Sequence, residues 1–402
     1  MSKVLNIGIF GACRGRAFYE PIKDLEGVRL HAILDKDPAM IEETKTCDEG
    51  KNGLTDDVLF FDNWDEFINS GLDAVILCNF FHEHAKYAIK AFEKGIAVMS
   101  DTTAAPTMKQ CVDLCEAAEK YNGKYMLGAN VPYMHGIMEL TRVYKEGTFG
   151  VVKYADAEYH HWDDPTQKMT GISPTPHHWR KYLPKTYYNM HTLGTLMAIT
   201  GETPVKVNGR AAGNEDVPHR DGQVATDAVA YTFCQTDGGA IFSTTGCASL
   251  GPNGKWFRLN CSKGTLETAR HNQNEVKLAY TPWRKPEDVE EATQIYGTTP
   301  KDEGSVEARA HHNGSDYRLM KAFLDYLNGG EEPFFNVYRS CALSAAGILA
   351  WYSVMNDGNT YTIPDFKNPE ERAKWADDDR SPFPDEITGE GATLPCSTNQ
   401  LK

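Results

Sequence analysis

No run of apolar residues in the sequence approaches the about 18 that a membrane-spanning helix needs, which argues against helical membrane insertion. The ten cysteines include no CxxC pair, so neither a zinc ribbon nor a dithiol redox motif is written here. No segment recurs at a fixed period, which removes solenoids and propellers. Cations are in the minority: 41 Lys and Arg against 56 Asp and Glu leave a formal charge of -15 with no local basic patch to offset it. Phosphate backbones and anionic lipid are repelled by such a chain, so no nucleic acid and no membrane surface is expected as partner. A strand pattern begins already at Val4, which leaves no room for a signal peptide. Cys78, Cys111, Cys115 and Cys341 lie inside apolar runs and read as small buried hydrophobes of a reducing compartment. A cytoplasmic protein acting on a neutral small molecule is the expectation.

What is present is enough chain for more than one core: 402 residues, 41% apolar and 24% charged. An apolar run from Val4 ends in Gly11, helical spacing follows through Phe18, Ile22 and Leu25, and a second run from Val28 to Leu34 stops at Asp35. That is a βαβ unit. A third strand, Ala74 to Cys78, leads into a helix through Ala85, Ile89 and Phe92, and Ala97 to Met99 makes a fourth; the alternation predicts a parallel sheet with helices on both faces. After Tyr133 the rhythm changes. One helix, Met134 to Lys145, gives way to strand-like runs at Val151–His160, Val205–Ala211, Ala228–Cys234, Ala240–Thr245, Phe257–Cys261 and Glu275–Tyr280, with a hairpin signal at Asp237-Gly238-Gly239. Residues 283–308 read as a polar surface excursion, helices follow at Tyr317–Leu327 and Val337–Met355, and the stretch beyond Asp365 reads as an irregular segment wrapping a neighbouring domain or subunit. The expected fold class is α/β: a Rossmann domain with a parallel sheet (1–130), an α+β domain with a large, mostly antiparallel open sheet (131–366), and an irregular tail (367–402).

Gly8, Gly11 and Gly15 bracket the first strand-to-helix turn, where a chain must approach a pyrophosphate and offer it backbone N–H groups. The turn reads Gly11-Ala12-Cys13-Arg14-Gly15, not GxGxxG, so spacing alone leaves a phosphate turn and a plain tight turn both open. Its position directly after the first strand favours the former, as does Asp35 at the end of the second. An acid there hydrogen-bonds the adenosine ribose and repels a 2'-phosphate, so NAD is expected rather than NADP in spite of the adjacent Lys36. Gly11, Cys13, Arg14 and Asp35 are the cofactor residues of this turn.

Two further stretches, Val75-Ile76-Leu77-Cys78-Asn79-Phe80-Phe81-His82-Glu83-His84 and Val98-Met99-Ser100-Asp101-Thr102-Thr103, each carry an apolar strand into a polar turn. On these stretches, and on the order of its segments from Ile7 to about Phe366, the chain resembles the glucose-fructose oxidoreductase / inositol dehydrogenase / MocA family. The resemblance implies that Asn79, Phe80, His82, His84, Asp101, Thr102 and Asn130 face the cofactor. It also brings out a departure. The family's Glu-Lys-Pro lysine, which touches the nicotinamide ribose and the substrate hydroxyl, is replaced here by Thr102. Asp101-Thr102-Thr103-Ala104-Ala105 is similar instead to the Glu-Val-Pro-Ala-Ala spelling of the family's NAD-dependent glycoside hydrolases.

Histidines gather at Glu158-Tyr159-His160-His161, His177-His178-Trp179-Arg180, Tyr187-Tyr188-Asn189-Met190-His191 and His311-His312-Asn313-Gly314-Ser315-Asp316. An imidazole can take a proton from a sugar hydroxyl, or in its neutral form bind a divalent ion. The resemblance implies that His191 is the catalytic histidine at the start of a second-domain helix, although Tyr187 and Gly194 stand where the family pattern has acids. Trp179-Arg180, Pro184, Tyr187-Tyr188 and Leu193-Gly194, together with Glu158-Tyr159-x-His161 and His312-x-Gly-Ser-Asp316-Tyr317, resemble the branch that cleaves glycosides by transient oxidation. His191, His161, Tyr187 and Tyr188 are therefore the catalytic candidates, and Trp179 and Arg180 join the cofactor set, with core packing left open for Trp179. Glu158, His191 and His312 form a candidate site for a divalent metal such as manganese. Asp316 stands between a functional role and an N-cap, and Asp163-Asp164 reads as a solvated turn. The expected activity is oxidation of a glycoside at C3, elimination of the C1 group and re-reduction; the alternatives are a plain sugar or polyol dehydrogenase and a non-catalytic nucleotide-binding sensor. The open sheet suits a homo-oligomer.

Overall fold

The computed structural model describes residues 3–46, 54–161, 175, 177–213, 226–298, 312 and 314–401. Asp163, Asp164, His311 and the second part of the 283–308 excursion lie outside the described residues.

Six strands, β1 (Leu5–Phe10), β2 (Val28–Leu34), β3 (Leu59–Phe61), β4 (Ala74–Leu77), β5 (Ala97–Asp101) and β6 (Tyr125–Gly128), form a parallel sheet in the order β3-β2-β1-β4-β5-β6. Every residue of β4, β5 and β6 is buried, the signature of strands covered by helices on both faces. Strand order reverses between β1 and β4, and a crevice opens beyond their carboxyl ends. The short strands β3 and β6 carry too few residues for a periodicity and were not legible in the sequence.

The second sheet has nine strands. These are β7 (Val152–His160), β8 (Pro204–Ala212), β9 (Val229–Thr236), β10 (Ile241–Ala248), β11 (Gly254–Cys261), β12 (Gly264–Ala269), β13 (Asn272–Tyr280), β14 (Thr293–Gly297) and β15 (Tyr361–Thr362), in the order β14-β13-β12-β11-β7-β10-β9-β8-β15. All neighbours pair antiparallel except β7 and β10. Helices His135–Lys145 and Val337–Met355 pack on one face. The other face keeps Tyr154, Tyr231, Phe233 and Ile241 exposed, as strict alternation along β9 requires.

Two later segments return to the first sheet. In helix Ser315–Leu327, Leu319, Met320, Phe323 and Leu324 share one apolar core with Ile7, Ile9, Tyr19 and Ile33, so a helix read as part of the second domain completes the first. The tail then wraps both halves of its own chain. Near its start the Thr107 hydroxyl donates to Asp379 (2.9 Å), and near its end the Asp227 carboxylate accepts from Ser397 Oγ (3.1 Å) and Thr398 N–H (3.0 Å). No described helix is long and apolar enough to cross a membrane.

Candidate active site

The chain leaves β1 through Gly11 at φ 101°, in the left-handed region. A Cβ there would lie 2.4 Å from the Cys78 carbonyl oxygen at the end of β4, so only glycine allows the two strand ends to close together. Ala12 N–H then donates to Asp35 Oδ2 (2.8 Å) and Asp37 N–H to Oδ1 (3.0 Å). Burial pushes the Asp35 carboxyl upward, and these two bonds oppose the shift.

Over this turn lies a crevice of about 670 Å³, within the range of cofactor sites. Gly11, Cys13, Arg14 and Asp35 line it from the first turn, Asn79 and Phe80 from the end of β4. His178, Trp179 and Arg180 reach it from the second half, and Glu386 and Ile387 from the tail. Trp179 stacks on Phe81 (5.1 Å between centroids) with the Arg180 guanidinium 4.4 Å over its ring, so packing and crevice lining are one role for this residue. Asn79 Oδ1 and Arg180 Nε are buried without a hydrogen-bond partner among the described residues, as expected of groups that await a polar ligand. Burial lowers His82 to about 4 and His178 to about 3, which keeps both rings neutral at pH 7. Glu386, 3.6 Å from His82, is pushed up to about 8 by burial and by Glu83, against the pull of Lys36.

At the other end of the crevice Arg14 bridges two carboxylates, Asp101 (Nε to Oδ2, 3.2 Å) and Asp316 (Nη2 to Oδ1, 3.2 Å). Asp316 is fully buried and also accepts from Asn130 Nδ2 (3.2 Å) and His312 Nδ1 (2.7 Å). Burial alone would raise its carboxyl; the Arg14 charge and the His312 bond outweigh that and hold it well below the carboxylate range. Thr102 has φ 68°, a strained conformation for a β-branched residue, and its hydroxyl donates to Asp101 (3.1 Å). His191 sits in a π-helical turn, Met190–Gly194, with its ring 4.6 Å from Tyr159 and 5.3 Å from Tyr188. Burial pushes this imidazole well below its usual range, and Lys255, His312, Arg14 and His161 all act in the same direction. A neutral ring with Nδ1 unpartnered among the described residues can accept a proton.

Several expectations need correction. Glu158 does not join His191 and His312, because alternation along β7 turns it to the opposite face from Tyr159, where it pairs with Arg270 (2.7 Å). The three-residue metal set is thus not assembled, and among the described residues no group of three His, Cys, Asp or Glu is placed to share an ion. Tyr187 and Tyr188 diverge: Tyr188 packs on His191, whereas Tyr187 lies against Phe383 with Tyr352 and Asp378 acting on its hydroxyl. His84 is 1% exposed and bonds Ser100 Oγ and the Asn79 and Thr103 carbonyls, so it joins the ends of β4 and β5 instead of facing the crevice. Asp316 is not an N-cap; Gly314 takes that position. His161 lies just past β7, its ring 6.2 Å from that of Tyr159. Sequence reasoning missed Lys255 and Glu386. The first was within reach, since Lys255, Phe257 and Leu259 share one strand face by the period of two.

Residues 5–129 match a family model described as "Oxidoreductase family, NAD-binding Rossmann fold", and residues 203–377 one described as "Glycosyl hydrolase 109, C-terminal domain". The chain is 23% identical over 336 residues to a glycosyl hydrolase family 109 protein of Stenotrophomonas maltophilia, covering 74% of this chain and 73% of that one. It is 25% identical over 228 residues to a 2,7-anhydro-N-acetylneuraminate hydratase of Mediterraneibacter gnavus, covering 53% of this chain and 55% of the other. Among solved structures it is similar to a levoglucosan dehydrogenase in complex with NADH and levoglucosan, with a TM-score of 0.69 at 15% identity over 90% of this chain and 99% of that one. At that identity the last likeness shows a shared fold.

Proposed function

We propose that the chain, in which residues 5–129 match the NAD-binding domain of an oxidoreductase family and residues 203–377 a C-terminal domain of the glycosyl hydrolase 109 type, cleaves a glycoside by transient oxidation at C3, elimination of the C1 substituent and re-reduction. The observation that carries the reading is a crevice lined by Arg14, whose charge acts on a buried neutral imidazole, His191, flanked by two tyrosines.

Cys13 and Arg14, whose N–H groups open the first helix, would receive the pyrophosphate, Asp35 the adenosine ribose, and Asn79, Phe80 and Arg180 the remaining length of the dinucleotide. NAD, when bound, supplies the two-electron oxidant that makes C3 a ketone and the reductant that restores it. His191 takes the proton that leaves a sugar hydroxyl, since burial keeps its ring uncharged at neutral pH. A ketone at C3 acidifies the C2 hydrogen. With that proton moved to His161, since His191 already carries the hydroxyl proton, the C1–O bond breaks with its electron pair going to the aglycone oxygen. Water adding at C1 completes hydrolysis, and an enzyme that stops before this step is a lyase. Tyr188, beside His191, donates to the departing or developing oxygen. Arg14, locked between Asp101 and Asp316, fixes the distance between crevice and base. No step is assigned to a divalent ion, because Glu158 faces away from His191. Self-association belongs to the same reading, supported by Tyr154, Tyr231, Phe233 and Ile241 on the uncovered sheet face.

Purified protein incubated with a panel of chromogenic glycosides, with and without manganese and a chelator, tests this while aglycone release and reduced nicotinamide are both followed. Release without net nicotinamide reduction is the expected result. Stoichiometric reduction without release would show a sugar dehydrogenase instead.

A further inference from the structure

Among the described residues one lysine and one arginine act on the buried His191 imidazole, and the arginine is spoken for. Arg14 is held by two carboxylates. The other is Lys255, which stands opposite Tyr159 where β11 pairs with β7. Phe257 and Leu259 continue the same face of β11 into the core, while Trp256 and Arg258 turn to the opposite face. Lys255 Nζ lies 5.6 Å from the centre of the Tyr159 ring, against which His191 also packs, at 4.6 Å between centroids. Its ammonium makes no hydrogen bond or ion pair with any described residue, although the side chain is partly buried. An unpaired, partly desolvated ammonium is costly unless a ligand oxygen completes it.

We propose that Lys255 binds the sugar oxygen that loses its proton to His191, so that the lysine and the histidine act as a cation and base on one hydroxyl. This rests on the reading of the site as sugar-oxidising. The proton moves from the hydroxyl to His191 as C3 gives up its electrons, and Lys255 stays protonated throughout, opposite the negative charge developing on oxygen. The charge it supplies is one that Thr102, a neutral hydroxyl, lacks. Electrostatics around the pair agree. Lys255 is the largest charge acting on His191 after burial itself, with His312, Arg14 and His161 adding to it. Burial lowers Lys255, and Asp316 pulls it back toward its ordinary value.

The test uses K255M, K255R and K255A in the full chain, with circular dichroism and NAD binding as controls for folding. K255M is expected to lower kcat by about 100- to 1,000-fold with a smaller change in KM, K255R to retain part of the activity, and K255A to recover with added methylammonium. In histidine-labelled protein, the His191 resonance should titrate at a higher pH in K255M than in the wild type. A kcat within about threefold of wild type, no recovery with the amine, or an unmoved His191 titration overturns the proposal. Wild-type protein silent on every glycoside would sink the functional reading, and the histidine titration would then still decide whether Lys255 faces the base.

Discussion

Replacing Asp316 by alanine tests the hinge between the two halves of the site. The carboxylate is fully buried and accepts from Arg14, Asn130 and His312. Its removal leaves Arg14 with Asp101 alone and strips two further donors of their acceptor. Breaking one side of a buried, hydrogen-bonded ion pair costs about 3–5 kcal/mol. At roughly 2–4 °C per kcal/mol for a unit of this size, the melting temperature should fall by on the order of 10 °C. The sign of the pH dependence follows from the folded carboxyl being depressed. Its stabilisation is present in full above the unfolded value of about 3.9 and is lost as pH falls toward the folded value, so wild-type and D316A curves should converge in acid. Differential scanning calorimetry from about pH 2 to pH 8 measures both effects. A D316A protein melting within about 2 °C of wild type at pH 7 would refute the claim that this carboxylate holds the site together.

H191N should lose about 100- to 10,000-fold in kcat. Because burial depresses the wild-type imidazole, its neutral form persists below the ordinary histidine range, and kcat/KM should show no protonation step near pH 6.5; a step there means that His191 is not the base. D35A removes a charged acceptor worth about 1.5–3 kcal/mol, so the NAD dissociation constant should rise roughly 10- to 100-fold while that of NADP rises less; equal losses by calorimetry would show that Asp35 does not read the ribose. Glu386 is raised to about 8 by burial, so it binds more protons folded than unfolded between about 4.5 and 8 and its contribution to the closed tail weakens as pH rises through that window. Release of NAD, read by stopped-flow fluorescence, should quicken from pH 5 to pH 8 in wild type and lose that dependence in E386Q; identical profiles would mean that the tail does not guard the crevice.

The coenzyme end was legible because its signals are local. A glycine after the first strand and an acid after the second are tied to each other through one short hydrogen bond, Ala12 N–H to Asp35, and both lie within a single βαβ unit. At the reactive end the sequence pattern was ambiguous for reasons of geometry. Period two says that Glu158 and His160 share a face, but which face meets His191 depends on the helix turn Met190–Gly194, which is remote in the chain. Tyr187 and Tyr188 are consecutive where the backbone leaves a 3-10 turn, so one position decides between core and site. Lys255 lies ahead of Phe257–Cys261, the run that marks β11 in the sequence, and its charge kept it out of that run, so it escaped notice for the property that gives it chemical interest. Glu386 carries no motif at all; it reaches the crevice only because Phe383 packs on Phe81 and His82.

The tail has one consequence for how the molecule comes into being. The parallel sheet that floors the nucleotide pocket has all six of its strands by Gly128 and the helix that completes its core by Leu327, whereas Glu386 and Ile387, which cover the pocket, follow only after the entire second sheet has been made. A ribosome-bound chain therefore owns a coenzyme floor before it owns a cover. A protease nick between residues 377 and 395 would spare both sheets, leaving a protein that looks folded to spectroscopy yet surrenders its nucleotide on dilution.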